Sequence, residues 1–300
     1  MKIGVDWGGT KIEVAVLDDY GKIVWRQRQP TPQEDYPGCI ETLHSLIAQA
    51  DSYVGKKTSV GVGIPGTLSP ATGLVKNANS TWLNDKPLDK DIALALNRPI
   101  RVTNDANCLA LSEAVDGAGK DAHCVFAVIV GTGVGGGIAM DKKVHAGRGL
   151  IGGEWGHNPL PWPTAEEIPG NLCWCGRHGC IETYVSGTGL SREYKKLTKS
   201  TKTGEQIIHA MRAGETQAAD AFETLRNRLA RGLAAVVNLL DPDMIVLGGG
   251  LSNVDEIYHG LSEAISPYAF TDVFDTPIRK ARHGDSSGVR GAAWLWNDEF

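Results

Sequence analysis

Short apolar runs, each closed by glycine, set the rhythm of this chain. Met1 to Asp6 reads as a strand that enters Asp6-Trp7-Gly8-Gly9-Thr10-Lys11, and Ile12 to Leu17 resumes strand-like alternation. Asp19-Tyr20-Gly21-Lys22 is a turn signal before Ile23-Val24-Trp25, so the first glycine turn joins strand to strand, not strand to helix. Cys39 to Ala50 has helical spacing. Ser59 to Ile64 reads as extended until Pro65-Gly66 breaks it, Leu88 to Leu96 predicts a short helix, and Ile100 to Thr103 predicts a strand. That strand ends in Asn104-Asp105-Ala106-Asn107, a helix follows over Cys108 to Val115, and Gly117 and Gly119 mark a boundary.

From Val125 the opening pattern recurs: a strand over Phe126 to Val130, a glycine turn over Gly131 to Gly137, a strand at Ile138-Ala139-Met140, and a turn at Asp141-Lys142-Lys143. Two copies of one α/β unit are the simplest explanation. Ala218 to Leu240 predicts the clearest helix, with Phe222, Leu225, Leu229, Leu233, Val236 and Leu240 on one face and Asp241-Pro242 as its stop. Met244 to Leu247 predicts a buried strand running into Gly248-Gly249-Gly250, with a helix from about Ser252 to Ile265 and a terminal helix from Gly288 to Trp296. The alternation predicts two α/β domains with a cleft between them. The first covers 1–118 and is joined by the C-terminal helix 288–300; the second covers 119–287.

Composition narrows the class. With 42% apolar and 22% charged residues the chain is an ordinary globular protein. A net charge of −5 argues against a nucleic-acid partner, and no apolar run is long enough to span a bilayer. The first strand starts close to Met1, leaving no room for an N-terminal accessory domain. No apolar signal segment is present at Met1, so a cytoplasmic, reducing compartment is expected.

The densest chemistry lies at Gly153-Glu154-Trp155-Gly156-His157 and at Cys173-Trp174-Cys175-Gly176-Arg177-His178-Gly179-Cys180-Ile181-Glu182. His157, Cys173, Cys175 and Cys180 form a ligand set that suits Zn²⁺ and leaves no open position, which makes the ion structural. A Cys-x-Cys disulfide is geometrically poor and would strand one sulfur. Cys39, Cys108 and Cys124 read as ordinary thiols. Glu154 and Glu182 flank the cluster, either as solvated acids or as acceptors for the hydroxyls of a small polyol.

Glycine turns after strands suit phosphate groups that approach bare backbone N–H donors; the alternative is plain hairpin turns. Gly131-x-Gly133-x-x-Gly136 matches a dinucleotide fingerprint formally, but a strand follows where that motif needs a helix. Asp105, at a strand end and a helix start, is placed for a general base or for a helix cap. Asp6 beside Gly8-Gly9 suits Mg²⁺ held through water, or a turn.

Taken jointly, Asp6-Trp7-Gly8-Gly9-Thr10-Lys11, Asn104-Asp105, Gly131-Thr132-Gly133, Glu154-x-x-His157 and Cys173-x-Cys175-Gly176-x-x-Gly179-Cys180 resemble the ROK family of sugar kinases over essentially the whole chain. The resemblance implies two RNase H-like domains of the actin/Hsp70/sugar-kinase superfamily, MgATP as phosphoryl donor and a homodimer. It implies Asp105 as catalytic base, with Gly66, Asn79, Asn104, Glu154, His157 and Glu182 on the sugar. It implies Asp6, Gly8, Gly9, Thr10, Lys11, Gly131, Thr132, Gly133, Gly135, Gly136, Gly248 and Gly249 at the nucleotide. Lys76 to Asn84 and His283 to Trp294 resemble the bacterial manno(fructo)kinase type. That predicts transfer to the 6-hydroxyl of fructose, with mannose or glucose as further substrates. The N-acetylglucosamine and glucose kinases of the family are the alternative. A sugar-responsive regulator would need a DNA-reading helix-turn-helix, and an Hsp70-like ATPase a protein client; two acids beside a zinc knot favour a small polyol.

Overall fold

In a computed structural model that describes residues 1–297, the chain divides into two compact units. The first takes Met1–Val125, Gly137–Gly153 and the chain from Arg282 onward; the second takes Phe126–Gly136 and Glu154–Ala281.

The chain opens on an antiparallel meander, β1 (Lys2–Trp7), β2 (Lys11–Leu17) and β3 (Ile23–Pro30). The first hairpin closes at Gly8, whose N–H donates to the Lys11 carbonyl at 2.9 Å. Helix α1 (Tyr36–Val54) outruns its apolar core at both ends: Asp35 caps it, Pro37 sits in the first turn where it costs no hydrogen bond, and left-handed Gly55 stops it. Then follow β4 (Val60–Ile64), the small hairpin β5 (Thr67–Leu68) and β6 (Val75–Lys76), α2 (Leu88–Leu96), β7 (Ile100–Asn104) and α3 (Asp105–Val115). Strands β4 and β7 add in parallel, giving the order β3-β2-β1-β4-β7. Ile3, Val5, Val14, Val60 and Val62 of this sheet pack with Leu43, Leu46, Ile47, Leu88 and Ile92 of α1 and α2 in one buried cluster.

The meander recurs in β8 (Cys124–Val130), β9 (Val134–Met140) and β10 (Lys143–Val144). The glycine turn is shorter than its composition suggests. Only Gly131–Gly133 turns, and Gly135, Gly136 and Gly137 lie inside β9. At Gly137 the reason is packing: a Cβ there would stand 2.3 Å from the Ala106 carbonyl oxygen at the start of α3.

The remainder comprises α4 (Gly187–Thr198), α5 (Gly204–Arg212), α6 (Thr216–Leu240), β11 (Met244–Gly248), α7 (Leu261–Ile265) and β12 (Ile278–Lys280). The second sheet has the order β10-β9-β8-β11-β12, which repeats the first position for position. The helix expected over 252–265 is instead two single 3₁₀ turns, Gly250–Asn253 and Asp255–Ile257, before the short α7. Extended Val254 separates the turns and Gly260, at φ 66°, separates them from α7.

Helix α8 (Ser287–Trp294) belongs to the first unit. A Cβ at Gly4 or at Gly61 would come within 1.9 Å of its Val289 or Ala292 carbonyl oxygen, so the helix backbone lies directly on β1 and β4. Fully buried Glu113 accepts from the Ser287 hydroxyl at 3.2 Å and the Arg282 N–H at 3.0 Å, while Asp116 pairs with His283 at 3.0 Å and with Arg290. The last three positions of the expected terminal helix, 298–300, lie outside the described residues. Among the described residues no helix is long and apolar enough to cross a membrane.

Candidate functional site

The second unit folds a four-ligand centre from two loops. His157 ends the 3₁₀ turn Trp155–His157. Trp155 anchors that turn in the core: it meets Phe126 edge-on at 5.9 Å and fills the space beside Gly232 of α6, where a Cβ would stand 2.5 Å from its ring. The cysteines lie on a tight excursion in which the Cys173 N–H donates to the Arg177 carbonyl at 2.8 Å, with left-handed Gly176 and Gly179 making the bends. The ligand atoms of His157, Cys173, Cys175 and Cys180 all lie within 4.8 Å of one another. Cys173 Sγ is 3.6 Å from His157 Nδ1, and Cys175 Sγ is 3.6 Å from Cys180 Sγ. A tetrahedral ion bound about 2.3 Å from sulfur sets ligand–ligand edges of about 3.6–3.8 Å, which the two 3.6 Å pairs match, so the chemistry of the donor set suits Zn²⁺. Without a cation, burial and then the neighbouring Cys175 push the Cys180 thiol up to about 12, and a divalent ion reverses that by favouring the thiolate.

The loop between the two ligand groups is fastened to α6. Arg231 reaches the Trp162 carbonyl at 2.7 Å and both oxygens of Glu167, at 2.8 and 2.9 Å, while Arg228 bonds Glu167 at 2.7 Å. Burial alone would raise the Glu167 carboxyl; Arg231 and Arg228 override it and hold it at about 2. Glu182 follows Cys180 in a further 3₁₀ turn, and its Oε2 accepts the Val134 N–H at 3.1 Å. Glu154 immediately precedes the turn that carries His157. His123 pairs with Asp141 at 2.6 Å, and His178 bonds the Gly170 carbonyl at 3.1 Å.

In the first unit β7 delivers Asn104 and Asp105 to the start of α3. Asn104, rather than Asp105, is the helix cap: its Oδ1 accepts the Ala106 N–H at 2.8 Å, and Asp105 Oδ1 accepts the same N–H at 2.8 Å. Asn104 Nδ2 donates to the Gly66 carbonyl at 3.3 Å. A Cβ on Gly66 would press on Lys76 and Ala78 at 2.9–3.0 Å, and Asn79 is the next residue along. Gly66, Asn79, Asn104 and Asp105 are therefore brought together.

Asp6 ends near the first turn of α8, where a Cβ on Gly288 would stand 3.1 Å from its carboxylate. Burial first, then the opposed Glu13, push Asp6 from 3.8 up to about 6. Glu13 itself is buried against Arg26 at 2.6 Å, Arg28 at 2.5 Å and Lys11 at 3.7 Å, so Lys11 has a carboxylate neighbour of its own. The Gly8-Gly9-Thr10 turn stands next to Ser80, whose hydroxyl would be 2.8 Å from a Cβ on Gly9.

A cavity of about 910 Å³ opens in the second unit, walled by Gly131 and Thr132, Gly187 and Thr188, Lys202, His209, Arg212, and Gly250 to Val254 in part. Of the glycines after β11, Gly250 faces this space. Gly248 closes the strand, and Gly249, at φ 81°, packs against the end of β8, where a Cβ would meet the Val130 carbonyl at 2.7 Å. The α4 and α5 walls were not anticipated from the sequence, although Leu190, Tyr194 and Leu197 in α4 and Ile207, Ile208 and Met211 in α5 stand at helical spacing.

A model of the ROK family matches residues 2–299. An N-acetyl-D-glucosamine kinase of Yersinia pseudotuberculosis serotype O:1b (strain IP 31758) is 41% identical over 299 residues, which cover 98% of this chain and 98% of that one. Among solved structures, a ROK hexokinase from Thermus thermophilus is similar with a TM-score of 0.87 at 30% identity, over 98% of this chain and 97% of the other. A ROK family glucokinase from Streptomyces griseus in complex with glucose and AMPPNP has a TM-score of 0.77, also at 30% identity, over 98% of each chain. The expected fructokinase assignment is overturned, since the curated relatives at about 40% identity are N-acetyl-D-glucosamine kinases. Packing explains the error. In Lys76 to Asn84, the Asn84 side chain bonds the Ala78 N–H at 2.9 Å and carbonyl at 3.0 Å, and Leu83 is core. In His283 to Trp294, His283, Ser287 and Arg290 seat α8 on Glu113 and Asp116. Both stretches thus carry residues that assemble the first unit.

Proposed function

This chain belongs to the ROK family, and we propose that this sugar kinase transfers the γ-phosphoryl group of ATP to the 6-hydroxyl of N-acetyl-D-glucosamine. Its fold is that of the actin/Hsp70/sugar-kinase (RNase H-like) superfamily. The observation that carries the substrate is the 41% identity, over 98% of both chains, to an N-acetyl-D-glucosamine kinase.

In this reading Asp105 accepts the hydroxyl proton while the sugar oxygen bonds to phosphorus and the bond to the departing ADP oxygen breaks. Sugar contacts are proposed for Gly66, Asn79 and Asn104 in the first unit and, separately, for Glu154, His157 and Glu182 in the second. Nucleotide contacts are proposed for Asp6 and Gly8 to Lys11 in one, and for Gly131 to Gly133 with the cavity walls in the other. Asp6 supplies a carboxylate for Mg²⁺, which neutralises phosphate charge when bound. Zn²⁺ at His157, Cys173, Cys175 and Cys180 shapes the loops and has no open position for chemistry. A reducing cytoplasm is proposed as the compartment, since free cysteines at such a centre are kept reduced there, and a homodimer is expected in solution. The test is ADP release with a panel of N-acetylglucosamine, N-acetylmannosamine and glucose. A kcat/KM at least about tenfold higher for N-acetylglucosamine is expected, worth about 1.4 kcal/mol. Equal turnover of glucose would reject the assignment.

A further inference from the structure

Glu182 has both carboxylate oxygens occupied. Oε2 accepts the Val134 N–H at 3.1 Å, and Oε1 accepts the indole N–H of Trp174 at 2.7 Å. Trp174 stands between the ligands Cys173 and Cys175, and its ring meets the ligand His157 edge-on at 4.9 Å and 87°. It is nevertheless 60% exposed, so it adds little to the core. A tryptophan so exposed, with its single donor spent on a carboxylate, is placed to hold that carboxylate.

The other arm of the metal centre reaches the same point. Gly156, beside His157, lies so close to Val134 that a Cβ would stand 2.7 Å from the Val134 carbonyl oxygen. The turn that Val134 ends is held behind by the Gly187 N–H on the Gly131 carbonyl at 2.7 Å and by the Thr188 hydroxyl on the Thr132 carbonyl at 3.1 Å. Bare backbone from one ligand arm and a carboxylate from the other therefore grip Val134. Only the carboxylate grip depends on a side chain that can swing away.

We propose that Trp174 is a positioning residue that ties the metal hairpin to the Gly131–Val134 turn through Glu182, so that one indole N–H governs affinity for both sugar and nucleotide. This rests on the reading above, in which Glu182 faces the sugar and the turn faces the phosphates. A residue serving the sugar alone would leave the nucleotide untouched.

The experiment compares wild type with Trp174→Phe, which keeps a ring on His157 but lacks the donor, and with Trp174→Ala. Bound zinc is measured, N-acetylglucosamine and a non-hydrolysable ATP analogue are titrated separately by calorimetry, and amide hydrogen exchange is followed over residues 131–136. In Trp174→Phe, unchanged zinc, both dissociation constants raised about three- to tenfold and faster exchange over 131–136 are expected. Trp174→Ala should show at least the same shifts. A change confined to sugar, or no change in either ligand, would overturn the coupling. So would loss of zinc from Trp174→Phe, because the donor would then serve the ligands and not Glu182. If wild type binds neither ligand, the kinase reading falls, while the exchange rates still report whether Trp174 braces the turn.

Discussion

At the level of single residues the proposed chemistry rests on two carboxylates, Asp105 as base and Asp6 toward the cation. Asn104 and Asp105 both accept the Ala106 N–H at the start of α3, and the proposed base is Asp105. Asp105→Asn should lower kcat by at least about a hundredfold while leaving the dissociation constants of sugar and nucleotide within a few-fold; an unchanged kcat would reject it as the base. Asp6 makes a pH prediction. Its carboxyl is pushed to about 6, so below that pH the neutral form dominates and cannot serve a cation. MgATP affinity should hold above about pH 6 and fall as pH drops through it, by up to about tenfold per unit for one proton, and Asp6→Asn should abolish the dependence. Calorimetry at several pH values decides it. That His157, Cys173, Cys175 and Cys180 come together was legible, because they stand in two short local patterns. The role of Trp174 was not. Its partner Glu182 lies beyond the ligating loop, and the turn both of them serve begins some forty residues earlier in the chain.

Among the elements, β1, β2, β4, β7, β8 and β11 were legible because alternation and turn residues are local signals, whereas the β5–β6 hairpin and β12 were not anticipated. Glycines misled where they mark close approach. Gly135 to Gly137 look like a loop in sequence yet form strand β9, since α3 begins against Gly137. Gly137→Ala should therefore cost about 1–3 kcal/mol in denaturant unfolding through overpacking, although Gly137 makes no proposed ligand contact. A neutral effect would mean that α3 can withdraw. Helices α4 and α5 were missed although each joins a cap to a short apolar face: Ser186 accepts the Gly189 N–H ahead of Leu190 and Tyr194, and Thr203 with Gln206 forms a reciprocal capping box ahead of Ile207 and Ile208.

For the whole molecule, the repeated strand order was legible in the recurrence of strand, glycine turn and strand. The choice of sugar was not, because the stretches that suggested it also hold residues that pack the first unit together, such as Asn84, His283 and Arg290. The proposed zinc centre would gather its ligands from two separated loops, so stripping the ion should matter to stability as well as to binding. Chelation is expected to lower Tm by at least about 5 °C and to open the chain between His157 and Cys180 to protease, and an unaltered melt would argue that the loops hold without it. Helix α8 carries a different consequence. Gly4 and Gly61, made early on the ribosome, are bare so that a segment translated more than two hundred residues later can lie on them. The second unit finishes emerging at Ala281, before α8 exists. The sheet that starts first thus matures last, and a nascent chain arrested before Ser287 would show chaperones an unsealed apolar seam along β1 and β4.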